Sequence, residues 1–174
     1  MQMERYLSRT ELVEIEGNTN LEWTLDPDFG WLDVRSEPSG LTIKIDDKIV
    51  GKTPLTNHEL PPGGYEVLVT DSSYYDKGKR MLIERGKRKS MDVKLDARLG
   101  GLSVSAKDQE GNALVADVLI DGKKRGETPW TGELLIGLHQ VEVKTGNSNW
   151  QGEVTIVERK TEQLTPVLSV EHHR

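Results

Sequence analysis

The chain of 174 residues contains no cysteine and only one phenylalanine. Without cysteine it can form neither disulfides nor thiolate metal sites, which suits an exported bacterial protein and a cytosolic one equally. The longest apolar runs are far shorter than a membrane span, and the start, MQMERYLSRTEL, lacks the apolar centre of a signal peptide. We therefore expect no membrane insertion by this chain, and an export signal, if the parent protein has one, outside it.

Helical patterning is also missing. No window places apolar residues at i, i+3, i+4 and i+7 over three turns, so helix is at most a minor component. Apolar residues instead alternate with period two, as in Ile43/Ile45 and Val141/Val143, which is typical of half-buried strands. With 17 glycines available for turns, the sequence predicts an all-β fold made of short antiparallel strands.

The chain repeats itself at a spacing of 70 to 75 residues. Order and spacing are kept over three consecutive blocks, which makes a chance match a poor explanation. The paired blocks are GWLDV (30–34) with GGLSV (100–104), IDDKIVGKTPLT (45–56) with IDGKKRGETPWT (120–131), and GGYEVLV (63–69) with GLHQVEV (137–143). This pattern predicts tandem small antiparallel β-sandwich repeats at 29–98 and 99–170, followed by a polar tail at 171–174.

The first residues carry a fragment of the same pattern. LEWTLDPDFGWLDV (21–34) parallels MDVKLDARLGGLSV (91–104) without a gap. Residues 1–28 are therefore interpreted either as the C-terminal strands of a truncated upstream repeat or as a free-standing N-terminal hairpin. Under both interpretations the segment is strand as far as Leu25, and its apolar side chains need a partner surface. Self-association through these strands would supply one.

The stretch GKTPLT resembles the end of a phosphate-binding loop, because Gly51, Lys52 and Thr53 have the right order. A phosphate cradle also needs a glycine five positions earlier, where Asp46 stands, and a helix starting at the lysine. Pro54 and the polar residues after it predict no helix. The equivalent GETPWT lacks the lysine altogether, so we interpret both stretches as turns that end a strand and reverse the chain.

The succession of these turns resembles the PEGA domain family. The resemblance is carried by the turn Pro38-Ser39-Gly40-Leu41, where the motif that gives the family its name reads Pro-Glu-Gly-Ala, by the hairpin beginning at Ile45, and by Gly-Lys/Glu-Thr-Pro before a glycine-led strand. The Thr-Pro element and the strand spacing fit in both repeats, whereas the second repeat has lost the Pro-Glu-Gly-Ala motif.

The resemblance implies small β-sandwich modules, common in bacterial and archaeal envelope proteins and often joined to kinase or formylglycine-enzyme-like domains. It implies no catalytic set. We therefore expect a non-enzymatic structural or protein-interaction module, a stiff spacer or a binding platform, from a larger prokaryotic cell-envelope protein. The expected partners are another protein or neighbouring domains of the same polypeptide. The resemblance favours an extracytoplasmic location and leaves a cytoplasmic one open.

Residues with reactive side chains are few and scattered. His58 and His139 occupy non-equivalent positions of the two repeats, and His172 and His173 lie in the polar tail. His58-Glu59 runs into two prolines, which excludes a helical zinc motif. The sequence therefore predicts no catalytic residue, no cofactor and no metal site.

One segment breaks the repeat symmetry. Residues 77–89, KGKRMLIERGKRK, hold seven basic residues and one acid in a chain of net charge −6. We expect a basic hairpin that projects its cations from one edge and that either guards this edge in solvent or docks on an acidic partner. The candidate binding residues are Lys77, Lys79, Arg80, Arg85, Lys87, Arg88, Lys89 and Trp31.

The alternative function is a ligand-binding module that holds an anionic polymer or glycan along this segment. Nucleic acid is the less favoured polyanion, because aromatic residues are not interleaved with the cations and the chain is acidic overall. Trp31 joins the candidates because it stands where the other repeat has Gly101, so the repeated frame does not require it.

Overall fold

The computed structural model describes residues 5–15, 17–18, 20–146 and 148–169. These residues form fourteen strands and no helix. They divide into two compact units, the first made of 5–71 and 75–95 and the second of 72–74 and 96–169. The all-β prediction is confirmed.

The first unit contains seven strands in two sheets. β4-β1-β7 form a three-stranded sheet and β3-β2-β5-β6 a four-stranded sheet. All neighbours are antiparallel except β1 and β7, which run parallel. The strands are β1 (Gly30–Glu37), β2 (Thr42–Ile45), β3 (Lys48–Lys52), β4 (Leu55–Leu60), β5 (Gly63–Thr70), β6 (Lys77–Ile83) and β7 (Arg88–Lys94).

The second unit repeats this topology strand for strand. β11-β8-β14 form its three-stranded sheet and β10-β9-β12-β13 its four-stranded sheet, again with one parallel pair, β8 with β14. The strands are β8 (Leu99–Val104), β9 (Asp117–Ile120), β10 (Lys123–Glu127), β11 (Trp130–Leu135), β12 (Gly137–Thr145), β13 (Ser148–Ile156) and β14 (Thr161–Leu164).

Each unit has a core formed by the inward side chains of its two sheets. In the first unit Leu32, Ile43 and Val67 are fully buried, and in the second Leu102 and Val118 are. These are alternate residues of their strands, so the period-two pattern marks the inward face, as expected. Apolar burial is the main favourable term in folding, and these side chains supply it.

The parallel pair arises because the chain changes sheets after β6. It leaves the four-stranded sheet and enters the three-stranded one as β7, beside β1. Trp31 N donates to Lys87 O at 2.9 Å, and in the second unit Gly101 N donates to Lys160 O at 2.8 Å. A Cβ on Gly30 would overlap the carbonyl oxygen of Glu84. The crossing therefore requires glycine here, and the sequence repeats it at position 100.

The hairpin turns between β2 and β3 and between β9 and β10 are tight two-residue turns. Asp46 and Asp47 have φ values of 45° and 65°, and Asp121 and Gly122 have 50° and 76°. Positive φ at both central residues is the turn type that matches strand twist. Each first aspartate also accepts a hydrogen bond from the main chain of the neighbouring strand in the sheet, β5 or β12, at 2.8 Å from Glu66 N and at 3.0 Å from Gln140 N.

The threonine of each Thr-Pro pair is buried and joins two turns. Thr53 Oγ1 accepts from Leu41 N at 3.1 Å, and Gly40 N donates to Thr53 O at 2.8 Å. In the second unit Thr128 Oγ1 accepts from Ala116 N at 3.0 Å and donates to the carbonyl oxygen of Leu114 at 2.6 Å. Each hydroxyl thus connects the end of the second hairpin strand, β3 or β10, to the turn that precedes the first hairpin strand, β2 or β9.

The prediction of strand as far as Leu25 is wrong for the residues that the structure describes. Residues 7–15, 17–18 and 20–26 form no strand, and only an isolated bridge joins Tyr6 to Pro27. Leu7 N donates to Asp26 O at 3.0 Å, and Asp28 N donates to Arg5 O at 2.9 Å. A strand needs a neighbour along its length, and pairing between these two stretches is confined to their ends.

Thr128→Val should destabilise the second unit. The substitution keeps the shape of the side chain but leaves Ala116 N and the carbonyl oxygen of Leu114 buried without this partner, at a cost of about 1–3 kcal/mol. Thr128→Ser should recover most of the loss, and Thr131→Val, at an exposed threonine, should be nearly neutral. Thermal and denaturant unfolding measure this; equal stability of the Thr128→Val and Thr131→Val variants would contradict it.

Candidate interaction surface

The basic segment does not form a hairpin on one edge, contrary to the sequence-based expectation. β6, which carries Lys77, Lys79 and Arg80, ends the four-stranded sheet, whereas β7, which begins at Arg88, ends the three-stranded sheet. The turn between them holds Arg85 and Lys87. The segment is therefore two edges joined by a crossing, because the chain changes sheets in its middle.

The cations of the turn, together with Lys89 of β7, are paired with acids of the same unit. Arg85 Nε lies 2.6 Å from Asp28 Oδ1. Lys87 and Lys89 both reach Glu84, at 2.8 and 3.0 Å. Hydrogen bonds from Lys87 and then Lys89, followed by their charges, lower the pKa of Glu84 to about 2. These groups are exposed, so solvent and salt screen the pairs and each contributes little to stability.

Arg88 is held more firmly than the cations of the turn. Its Nη1 lies 2.9 Å from both carboxylate oxygens of Asp33, and its Nη2 donates to Asn57 Oδ1 at 2.7 Å. Its guanidinium also lies 5.8 Å from the ring centre of Trp31. The pKa of Asp33 is lowered, first by the hydrogen bond from Asn57 N and then by Arg88, against an opposing effect of burial.

Trp31 is half-buried and packs on its own unit. It forms an edge-to-face contact with Phe29 at 5.2 Å, and Phe29 forms another with Tyr6 at 5.9 Å. Arg5 lies 5.1 Å from the Phe29 ring centre and pairs with Glu59. The first described residues thus cover Phe29, the only phenylalanine. Trp31, the aromatic candidate for binding, is the last of the three rings in this row.

Lys79 and Arg80 form no ion pair with any residue in the described part of the chain. Lys79 follows the same face of β6 as the buried Met81, beyond the end of the core, and Arg80 lies on the opposite, outer face. Beside them is a shallow depression of about 420 Å³. It is lined by Asp46, Gly64, Glu66, Gly78, Lys79 and Arg80.

The register shows what the second unit has at these two positions. Lys79 lies opposite Val67 and Arg80 opposite Glu66. At the equivalent positions of β13, Gly152 and Glu153 replace the two cations. The frame of the domain therefore does not require a positive charge on this edge.

His139 makes two contacts within its own unit. His139 Nδ1 lies 2.7 Å from Asp121 Oδ2, and its Nε2 lies 2.8 Å from Leu135 O. Burial raises the pKa of Asp121, but hydrogen bonds from His139 and Gln140 N outweigh it and leave the pKa below its ordinary value. His172 and His173 lie outside the described residues. Within the described ranges no three acidic or histidine side chains are placed to hold a metal ion, and no helix is long enough to cross a bilayer.

Sequence reasoning identified the cations but missed their partners. Asp28 and Asp33 flank the Phe29–Trp31 stretch, and the only signal for this role was the position of Asp33 within the otherwise apolar strand start GWLDV. They meet Arg85 and Arg88 because β7 lies parallel to β1 with Trp31 opposite Arg88. That pairing joins residues more than fifty positions apart, so local patterns carry no information about it.

Asp33→Asn should lower stability at neutral pH by about 1 kcal/mol, since it removes a charged partner from Arg88 and Asn57 N. The folded-state pKa of Asp33 is depressed, so its stabilisation is present above the unfolded-state pKa of about 3.9 and is lost as pH falls through the folded-state value. Unfolding measured from pH 7 to pH 2 should show wild type and variant converging. Asp92→Asn, at an exposed carboxylate of β7, is the control; a constant difference at every pH contradicts the prediction.

Comparison with known proteins finds a family model for most of the first unit. The model of the PEGA domain family matches residues 29–98. No curated protein matches the sequence. Among solved structures, the Bacillus anthracis TIE protein is similar with 15% identity and a TM-score of 0.43 over 83% of this chain and 34% of that one.

Two pilin structures are also similar to the chain. GBS52, the minor pilin of Streptococcus agalactiae, shares 11% identity over 78% of this chain and 85% of that one, with a TM-score of 0.36. A streptococcal ancillary pilin shares 11% identity over 79% of this chain and 61% of that one, with a TM-score of 0.28.

The matched residues contain the structural features on which the family resemblance depended. Thr53 hydrogen-bonds to the turn at Gly40 and Leu41, so the turn that corresponds to Pro-Glu-Gly-Ala and the Thr-Pro element contact each other. The family match ends at residue 98, and the second unit has the same strand order. Residues 29–98 of this chain are thus matched, with these features, by the PEGA domain family.

Proposed function

We propose that this chain is a non-enzymatic structural and protein-interaction module, a spacer or binding platform, of a larger extracytoplasmic protein of a prokaryotic cell envelope. The proposal rests on what the polar side chains shared by the two units contact. Thr53 and Thr128, like Asp46 and Asp121, accept hydrogen bonds from main-chain amides. What the two units share thus holds the backbone in place, which supports a structural role.

The proposed binding surface is the edge at which the two units differ. On β6, Lys79 and Arg80 stand exposed beside the shallow depression, whereas β13 has Gly152 and Glu153 at the same register. A charged side chain without an internal partner can pair with a partner protein without first breaking an existing contact. An acidic protein surface is the partner that fits these two cations.

The second candidate is an anionic glycan bound along the whole of residues 77–89. It draws on the same Lys79 and Arg80, so a binding experiment has to separate the two partners. Against it, Arg85, Lys87, Arg88 and Lys89 already contact Asp28, Glu84 and Asp33. A polyanion along the full segment would have to compete with these pairs, so the protein partner is preferred.

Lys79→Glu/Arg80→Glu should abolish capture of an acidic protein partner from envelope extracts while leaving the chain folded. Both side chains are exposed, so the glutamate placed opposite Glu66 should lower stability by no more than about 1 kcal/mol. Capture by wild type should also weaken between 0.1 M and 1 M salt, because the Debye length falls from about 10 Å to about 3 Å.

Lys48→Glu/Lys52→Glu is the matched control, since it makes the same change of charge at the opposite edge of the same sheet. It should leave capture intact. Equal capture by wild type and both variants would overturn the binding surface. The glycan would replace the protein as the proposed partner under a different result. In that case no protein is captured, and immobilised heparin retains wild type but not Lys79→Glu/Arg80→Glu.

A further inference from the structure

The edge strand of the second unit's larger sheet, β13, is open along its length. It pairs with β12 over nine consecutive residues without a register shift, and no described strand pairs with its other side. Its sequence, SNWQGEVTI, contains no proline, no lysine and no arginine, and its single charge is Glu153. An exposed strand of this kind presents unpaired amide and carbonyl groups to another chain.

The other edge strands carry features that hinder such pairing. β3 and β10 each have a register shift and at least two lysines, and β4 has a register shift. β6 and β7 carry three cations each. β14 has four residues and β11 has six. Bulges, lysines and short length are the means by which proteins protect edges, so β13 is the least protected of the eight edges in the described sheets.

We propose that β13 pairs antiparallel with β13 of a second copy of this chain. The two-fold axis passes between the Gly152 residues of the two copies, which lie opposite each other. The two four-stranded sheets would then form one continuous sheet of eight strands. This surface differs from the cationic edge of the first unit and from the N-terminal residues. The contact is isologous, so it closes after two copies and makes a dimer.

The sequence of β13 is self-complementary in this register. Every residue of the strand has a partner, and opposite residues lie on the same face of the sheet. Trp150 stands opposite the second copy's Val154, an aromatic residue against a β-branched one, which is a favourable cross-strand pair. Glu153 stands opposite Gln151, whose amide can donate to the carboxylate. No like charges face each other, whereas a shift of the axis by one position toward the C-terminus would place Glu153 against Glu153.

Gly152 suits the axis of this arrangement. The Trp150 ring lies over it on the inward face, in the place that a Cβ would occupy, so glycine at residue 152 lets this ring cover the strand next to the axis. Trp150 itself packs against the second core. On the outward face Asn149, Gln151 and Thr155 are exposed, and the single unit makes no use of them for its core.

Two double variants test the register with a common first change. Asn149→Glu/Thr155→Glu places glutamates opposite each other in two symmetric pairs, and Asn149→Glu/Thr155→Lys places opposite charges there. In each single copy residue 149 faces Lys144 and residue 155 faces Leu138, so neither variant puts like charges face to face across β12 and β13. Sedimentation velocity over a concentration series of the full chain should show a dimer for wild type and for the Glu/Lys variant, and a monomer for the Glu/Glu variant.

Wild type that stays monomeric throughout the series would overturn the proposal, and so would identical behaviour of the two double variants. Melting curves of each variant show whether a monomer is folded.

A second measurement does not depend on charge. The chain has no cysteine, so Gln151→Cys and Glu153→Cys each introduce a single thiol. Opposite residues of antiparallel strands lie about 4.5–5.5 Å apart between Cα atoms, within disulfide range. A mixture of the two variants should form the mixed disulfide in excess over either variant alone, and equal yields would contradict the register.

Discussion

The change of sheet between β6 and β7 is the constraint on which the rest of each unit depends. It places the last strand parallel to the first and closes a three-stranded sheet over a four-stranded one. The crossing succeeds because residues 30 and 100 are glycines, which let the main chain of the turn approach the first strand closely. Burial of Leu32 and Ile83 on the two sides of this crossing then joins the sheets through the core.

The same crossing separates cations that are close in sequence. Lys79 and Arg80 stay on the edge of one sheet, while Arg88 moves to the other sheet and pairs with Asp33. Glu84, in the turn, gathers two of the remaining lysines. The run of positive residues is thereby divided into a larger part that is paired within the unit and a smaller part that faces solvent. Contact with the smaller part would break no ion pair of the unit.

The two units show how one frame carries different surfaces. Glycines at the crossing, aspartates at the hairpin turns and buried threonines recur with the same hydrogen bonds. The side chains next to the start of the first strand differ: the first unit has Phe29, which Arg5 and Tyr6 cover, and Trp31, where the second has Leu99 and Gly101. Because the frame is held by main-chain contacts, edges and faces can change charge and aromatic content without altering the topology.

The sequence by itself determined the fold class, the repeated order of strands and the positions of the tight turns. These are local properties: period-two alternation follows from strand geometry, and positive φ follows from Asp-Gly and Asp-Asp in two-residue turns. It also predicted the match of residues 29–98 to the PEGA domain family, because each turn that carries the resemblance, 38–41 and 51–54, is a short run of neighbouring residues. The strand expected before residue 26 was wrong because a strand requires a neighbour, and no local pattern reports whether one is present.

Only the tertiary structure decided which sheet each strand joins and which charges meet. The parallel pairing of β1 with β7 brings Arg88 to Asp33, and the register of β5 with β6 leaves Arg80 opposite Glu66 on an open face. Coulomb and hydrogen-bond energies depend on separation in space at the scale of a few ångströms. Separation along the chain does not specify that distance, so the sequence could name the cations of the candidate surface but not divide them into paired and unpaired groups.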